Sequence, residues 1–191
     1  DVVRSTAHLA LAREVAERSL TLVRDDAGLL PLDPARRYLA IMPVPLDLTP
    51  ADTSSTVVPA LAAAIRTQGA AVDEIVTSHP PTTDEIAAIR SRATQYDAVV
   101  VGTLAASLDP AQVALVDAIL ATGVPTVTVA LRTPWDIAAY PRSATHVCSY
   151  GIQPPTMEAL GAALFGRIGF RGHLPVEIPG IADRGHGLVA G

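Results

Sequence analysis

DAVVVGTLAASLDPAQVALVDAILATGVPTVTVAL, residues 97–131, decides the architecture. Its opening run, Asp97–Thr103, is apolar without alternation, which is the pattern of a strand covered on both faces. Asp109 then stands as a helix cap with Pro110 at the first helical position, and a helix is predicted to Thr122. Val124–Leu131 reads as a second strand. Strand, helix and strand in this order make a crossover unit of a parallel sheet.

The same rotation extends in both directions. Toward the C-terminus, Pro134–Tyr140 reads as a short helical turn, Thr145–Tyr150 as a strand and Thr156–Phe165 as a helix. Toward the N-terminus, Thr82–Thr94 reads as a helix, with Thr82 or Thr83 as cap and Glu85 in the first turn. Val72–Thr77 is a weaker strand. Ser54–Gln68 is predicted helical, with Val57, Val58, Leu61, Ala64 and Ile65 on one side and Gly69 as the stop. Tyr38–Val44 is a strand. Leu9, Ala12, Val15, Ala16 and Leu20 give residues 6–20 helical spacing, with Thr6 as the expected cap. LTLVRDDAGLLPLD (20–33) reads as an extended pair around a turn at Asp25–Gly28, and GHLPVEIPG (172–180) as an added edge strand. The expected fold is therefore α/β: a three-layer α/β/α sandwich on a mostly parallel, doubly wound sheet. Residues 38–191 form the sandwich. Residues 1–37 supply an N-terminal helix and linker strand packed on it.

Composition narrows the function. The formal net charge of -5 argues against nucleic acid as a partner, because phosphate binding needs a basic surface. All fourteen basic residues are Arg, so neither Schiff-base nor Walker-lysine chemistry is available. The one cysteine, Cys148, lies in an apolar segment and reads as a buried small hydrophobe. No apolar stretch approaches the ~20 residues of a membrane span. The charged, amphipathic opening reads as the interior of a longer polypeptide, and the compartment is left undetermined.

In a sheet of this kind ligands sit beyond the carboxyl ends of the strands. Those loops are 45–55, 78–83, 102–109, 131–135 and 150–156. None carries Gly-x-Gly-x-x-Gly, a P-loop or Gly-x-Ser-x-Gly. His8, His79, His146, His173 and His186 form no close pair at metal-ligand spacing, so no metal and no cofactor are expected. Asp52, Thr53, Ser54 and Ser55 precede a helix. Capping, worth about 1 kcal/mol, explains them; a polar lip that hydrogen-bonds a ligand or a neighbouring domain is the functional alternative. In LRTPWD (131–136), Arg132 and Trp135 are suited to clasp a sugar between guanidinium and indole. The competing reading puts Trp135 in the core and Asp136 on the following turn as its cap, and it is preferred because buried aromatics are commoner than ligand platforms. Glu158 sits in a helix first turn, where the helix dipole accounts for it. Asp52, Ser54, Arg132 and Trp135 are thus the candidate sugar-binding residues. No residue is assigned as catalytic.

The ordered segments resemble the second domain of family 3 glycoside hydrolases. AREVAERSLTLVRDDAGLLPL (12–32) resembles the family's passage from barrel to second domain, matching at Ser19, Leu22, Val23, Arg24, Leu29, Leu30, Pro31 and Leu32. DAVVVGT and GVPTVTVALRTPWDI (123–137) resemble its buried strands. SYGIQPPTMEALGAALFGRIGFRGHLPVEIP (149–179) resembles its closing signature, matching at Tyr150, Met157, Glu158, Gly166, Gly172, Leu174 and Pro175 among others. The bacterial β-N-acetylglucosaminidase branch is the most similar. The resemblance implies a preceding (β/α)8 barrel that carries the nucleophilic Asp, with a barrel loop supplying a His–Asp acid/base. This chain has no Lys-His-Phe-Pro-Gly stretch and no strand bearing that nucleophile. A retaining mechanism needs both groups about 5 Å apart, and neither Glu158 nor Glu177 is assigned to it. The implied role is an accessory domain that packs on such a barrel and helps shape its site, inactive alone. The alternatives are a module binding carbohydrate or cell-wall fragments, and a structural or dimerising domain.

Overall fold

The computed structural model describes residues 5–47 and 49–189. One sheet contains β1 (Thr21–Asp25), β2 (Arg37–Pro43), β3 (Ala71–Thr77), β4 (Ala98–Thr103), β5 (Thr126–Ala130) and β6 (Thr145–Cys148). Their order is β1-β6-β5-β4-β2-β3. Only β1 runs antiparallel, on the outer side of β6; the other pairs are parallel. β2 lies between β3 and β4, so the winding reverses at β2. The crevice of a doubly wound fold therefore opens at the carboxyl ends of β2 and β4.

The strands bury alternate residues on opposite faces. Tyr38, Ala40, Val100, Val127 and Val147 meet Leu61 and Ile65 of α2 (Leu61–Arg66), Leu160 and Leu164 of α6 (Pro154–Leu164), and Ala16 of α1 (Thr6–Ser19). Leu39, Ile41, Val99 and Val101 meet Ile89 of α3 (Thr83–Ala93), Leu115 and Ile119 of α4 (Pro110–Leu120), and Ile137 of α5 (Asp136–Ala139). Each fully buried Leu or Ile stabilises by roughly 1.5–3 kcal/mol. Three layers result, as the apolar pattern of the strands predicts.

Local chemistry sets the helix starts. Thr82 and Glu85 form a reciprocal capping box ahead of α3. Asp109 accepts from the N–H groups of Ala111 and Gln112, and Pro110 opens α4. Gly161 allows α6 to touch α2, because a Cβ there would stand 2.5 Å from the Ala64 carbonyl oxygen.

Four local expectations are corrected. Ser5, not Thr6, caps α1: its hydroxyl accepts from the His8 N–H at 3.3 Å. Ser54–Gln68 is not one helix. A 3-10 turn at Ser54–Thr56 is separated from α2 by the non-helical residues 57–60, which include Pro59, because proline disfavours helical backbone in the residue before it. The extended pair at 20–33 reduces to β1. After its turn, the N–H groups of Leu29 and Leu30 bond the Asp25 carboxylate instead of a strand. Residues 172–180 add no strand. β1 takes the edge beside β6, and the C-terminal segment follows β1 through an isolated bridge of Leu22 with Leu188.

Candidate functional site

The carboxyl ends of the parallel strands bring three of the four predicted residues together. Arg132, just past β5, donates from Nη1 to Oδ2 of Asp52 at 2.7 Å and to Oγ of Ser54 at 3.1 Å. Asp52 Oδ1 in turn accepts the Ser54 hydroxyl at 2.6 Å and its N–H at 2.9 Å. The loop after β2 is thus tied to the loop after β5. Asp47, which the sequence reading passed over, does the same within the β2 loop, accepting both the N–H and the hydroxyl of Ser55 at 2.8 Å. Its signal was faint: an acid eight residues ahead of a serine.

Trp135 overturns the preferred reading. Its side chain is not in the core: the residue is 42% exposed, and its indole N–H donates to the Glu177 carbonyl at 3.2 Å. The core position is taken by the next residue, Asp136, which is fully buried. Asp136 does not cap its own helical turn. It accepts hydroxyls from Thr103 at 2.7 Å and Thr133 at 3.1 Å, and N–H groups from Ala106 and Ser107. Burial raises its pKa, and these bonds oppose the shift. Tyr140 completes the cluster at 2.9 Å from the Thr103 hydroxyl.

A second brace lies on the other side of the β4 loop. Buried Gln112 of α4 accepts the Leu104 N–H at 2.8 Å and donates to the Leu104 carbonyl at 2.9 Å and to Asp109 at 2.9 Å. His79, from the loop after β3, stands 3.3 Å from the same amide nitrogen and 3.1 Å from the Val44 carbonyl. Between the two braces Ala105 holds a left-handed φ of 53°. That conformation costs a non-glycine residue on the order of 1–3 kcal/mol and persists only where neighbours enforce it. Spacing gives no sign of these roles for Gln112, His79 or Thr103, because Leu104, Val44 and Asp136 reach them from other elements.

Chemically, the rim is a set of polar side chains bonded to one another across loops. Asp136 is enclosed by donors, and Asp52 faces Arg132 and Ser54. Cys148 is buried, and burial pushes its thiol pKa up. Among the described residues no group of three or more His, Cys, Asp or Glu can hold a metal ion. Glu158 is paired with Arg13 of α1 at 2.8 Å.

No family model matches the chain, and no curated protein matches it. Solved structures do. A family 3 β-N-acetylglucosaminidase from Paenibacillus sp. str. FPU-7 superposes with a TM-score of 0.82 at 29% identity, over 90% of this chain and 33% of its own. A fungal multi-domain family 3 β-N-acetylglucosaminidase matches at 0.77 and 25% identity, over 94% of this chain and 20% of its own. A family 3 exo-β-xylosidase, 17% identical, shares the fold at 0.70. The chain spans about a third of the first relative's length and a fifth of the second's.

Proposed function

We infer the role of this chain from one premise: it is a C-terminal α/β domain of the family 3 glycoside hydrolase type. It acts as an accessory domain, packing on a catalytic (β/α)8 barrel and helping to form the rim of that barrel's sugar site. The substrate class is β-linked N-acetylglucosamine or a related sugar, in keeping with the two relatives that are β-N-acetylglucosaminidases. The observation that carries this reading is the Arg132–Asp52–Ser54 tie. It makes one polar lip of two loops at the ligand-binding end of the sheet.

The test has two arms. The chain alone, incubated with a nitrophenyl N-acetylglucosaminide, is expected to give no turnover above buffer; clear turnover overturns the accessory role. Joined in place of the matching third of the Paenibacillus enzyme, it is expected to support hydrolysis. There Arg132→Ala should lower kcat/KM by roughly tenfold, equivalent to about 1.4 kcal/mol. An unchanged kcat/KM removes Arg132 from the rim.

The exposed indole of Trp135 supports a second reading, a module that binds carbohydrate without cleaving it. As the chain's one tryptophan, it reports its own surroundings. A saturable change in its fluorescence with millimolar N-acetylglucosamine, on the isolated chain, favours that reading over a purely accessory role.

A further inference from the structure

His79 sits where three strand-end loops meet. It follows Thr77, the last residue of β3, by two positions, and its side chain is 9% exposed. Its Nδ1 stands 3.1 Å from the Val44 carbonyl in the loop after β2. A carbonyl only accepts, so in the neutral ring Nδ1 carries the hydrogen and Nε2 keeps a lone pair. That lone pair faces the start of α4. Its neighbours there are the Gln112 amide nitrogen at 3.3 Å and Asp109 Oδ2 at 3.7 Å.

Neither neighbour serves it. The Gln112 amide has two hydrogens, and they go to the Leu104 carbonyl and to Asp109 Oδ2, each at 2.9 Å. Asp109 Oδ2 is itself an acceptor, and its side chain is only 17% exposed. Two acceptors therefore face each other where water screens them little. A proton on Nε2 turns this contact into a charge-assisted hydrogen bond, for which the pair has to close by about 1 Å. Asp109 remains the cap of α4 throughout, because Oδ1 and not Oδ2 accepts the Ala111 and Gln112 N–H groups. What Oδ2 gives up is the Gln112 amide. Gln112 in turn holds the N–H and the carbonyl of Leu104, next to left-handed Ala105.

We propose that His79 is a proton-operated latch across the crevice: on taking up a proton it fastens the loops after β2 and β3 to Asp109 at the end of the loop after β4. Other carboxylates on the surrounding elements are already engaged. Glu85 of α3 is held by Ser78, and its pKa of about 2 keeps it ionised between pH 5 and 8, where imidazoles change charge. In the loop after β2, Asp47 and Asp52 are bonded to Ser55 and Arg132. The latch goes beyond the accessory-domain reading and lies wholly within this chain, so its test stands apart from that reading.

Nitrogen NMR of the imidazole rings and backbone amides, from pH 8 to pH 5, tests it on the chain as it is. At pH 8 the His79 ring is expected to carry its hydrogen on Nδ1 alone. Toward pH 5 Nε2 gains a second, and the amide signals of Leu104 and Gln112 shift along the same curve. His146 does not intrude, because burial lowers its pKa to about 3, below this window. A ring that stays neutral to pH 5, or that holds its hydrogen on Nε2 at pH 8, overturns the proposal. So does a ring that titrates while the Leu104 and Gln112 amides stay still. His79→Gln should abolish the amide shifts; shifts that persist belong to another group and overturn the latch. Asp109→Asn keeps a helix cap but removes the charge. With it the two amides should move roughly half as far or less, since the bond formed is no longer between ions. Movement equal to that of the parent removes Asp109 as the catch and overturns the proposal.

Discussion

Arg132 Nη1 lies 2.7 Å from Oδ2 of Asp52, across eighty residues of chain. The pair is the bolt between two loops that share no strand. Both side chains are largely covered, at 27% and 12% exposure, so the bond is less screened than a surface pair. A double-mutant cycle of Arg132→Met and Asp52→Asn should give a coupling of about 1 kcal/mol. Amide exchange in residues 49–55 should quicken in both single variants. Additive effects with unchanged exchange would mean that the loops stay closed without the bolt.

His146 should make the domain acid-sensitive. It is fully buried, with Nδ1 at 2.7 Å from the Thr128 hydroxyl. Burial, aided by the nearby Arg24 charge, lowers its pKa to about 3. The unfolded chain takes up this proton near 6.5 and the folded one refuses it, so the unfolded state binds more protons as pH falls. Stability is whole above about 6.5 and declines toward 3, with a slope approaching ~1.4 kcal/mol per pH unit for one proton. Urea unfolding as a function of pH checks this. His146→Asn should be weaker at neutral pH but flatter between about pH 6 and pH 4; an unaltered slope would acquit His146.

Glu85 acts at lower pH. Its carboxylate accepts the hydroxyl and N–H of Ser78 and the N–H and hydroxyl of Thr82. The Ser78 hydroxyl leads in lowering its pKa to about 2, followed by the Thr82 N–H. Its stabilisation is present above the unfolded value of about 4.3 and is lost as pH falls toward 2. Glu85→Gln should remove that limb of the acid-unfolding curve. Thr82→Ala should cost about 1 kcal/mol at neutral pH, measured by denaturant midpoint.

Gly161→Ala should force α6 off α2. The added Cβ would meet the Ala64 carbonyl oxygen at 2.5 Å and its carbon at 2.9 Å. Both are backbone atoms and cannot rotate away. Overpacking of this kind costs about 1–3 kcal/mol. A thermal midpoint equal to that of the parent would show that the two helices slide apart freely.

Much of the site was legible one residue at a time and illegible as a site. Asp52, Ser54 and Arg132 stand out because strand-end loops are where such folds bind ligands. Trp135 and Asp136 were exchanged. Hydrophobicity sends an indole inward and a carboxylate outward, whereas Asp136 is buried because Thr103, Thr133 and two N–H groups of the preceding loop surround it with donors. Pro59 was visible, but the apolar spacing around it suggested an unbroken helix.

The sequence by itself determined the layered α/β fold. Apolar runs such as AVVVG, helix caps such as Asp109–Pro110 and the Thr82–Glu85 box act over a few residues, and their periods are read directly along the chain. The tertiary structure alone decided which loops meet, that β1 rather than residues 172–180 closes the edge beside β6, and that α1 keeps Leu11 and Val15 in solvent. Those outcomes depend on contacts between groups far apart in the chain. Arg132 finds Asp52 only after β5 and β2 have taken their places in the sheet.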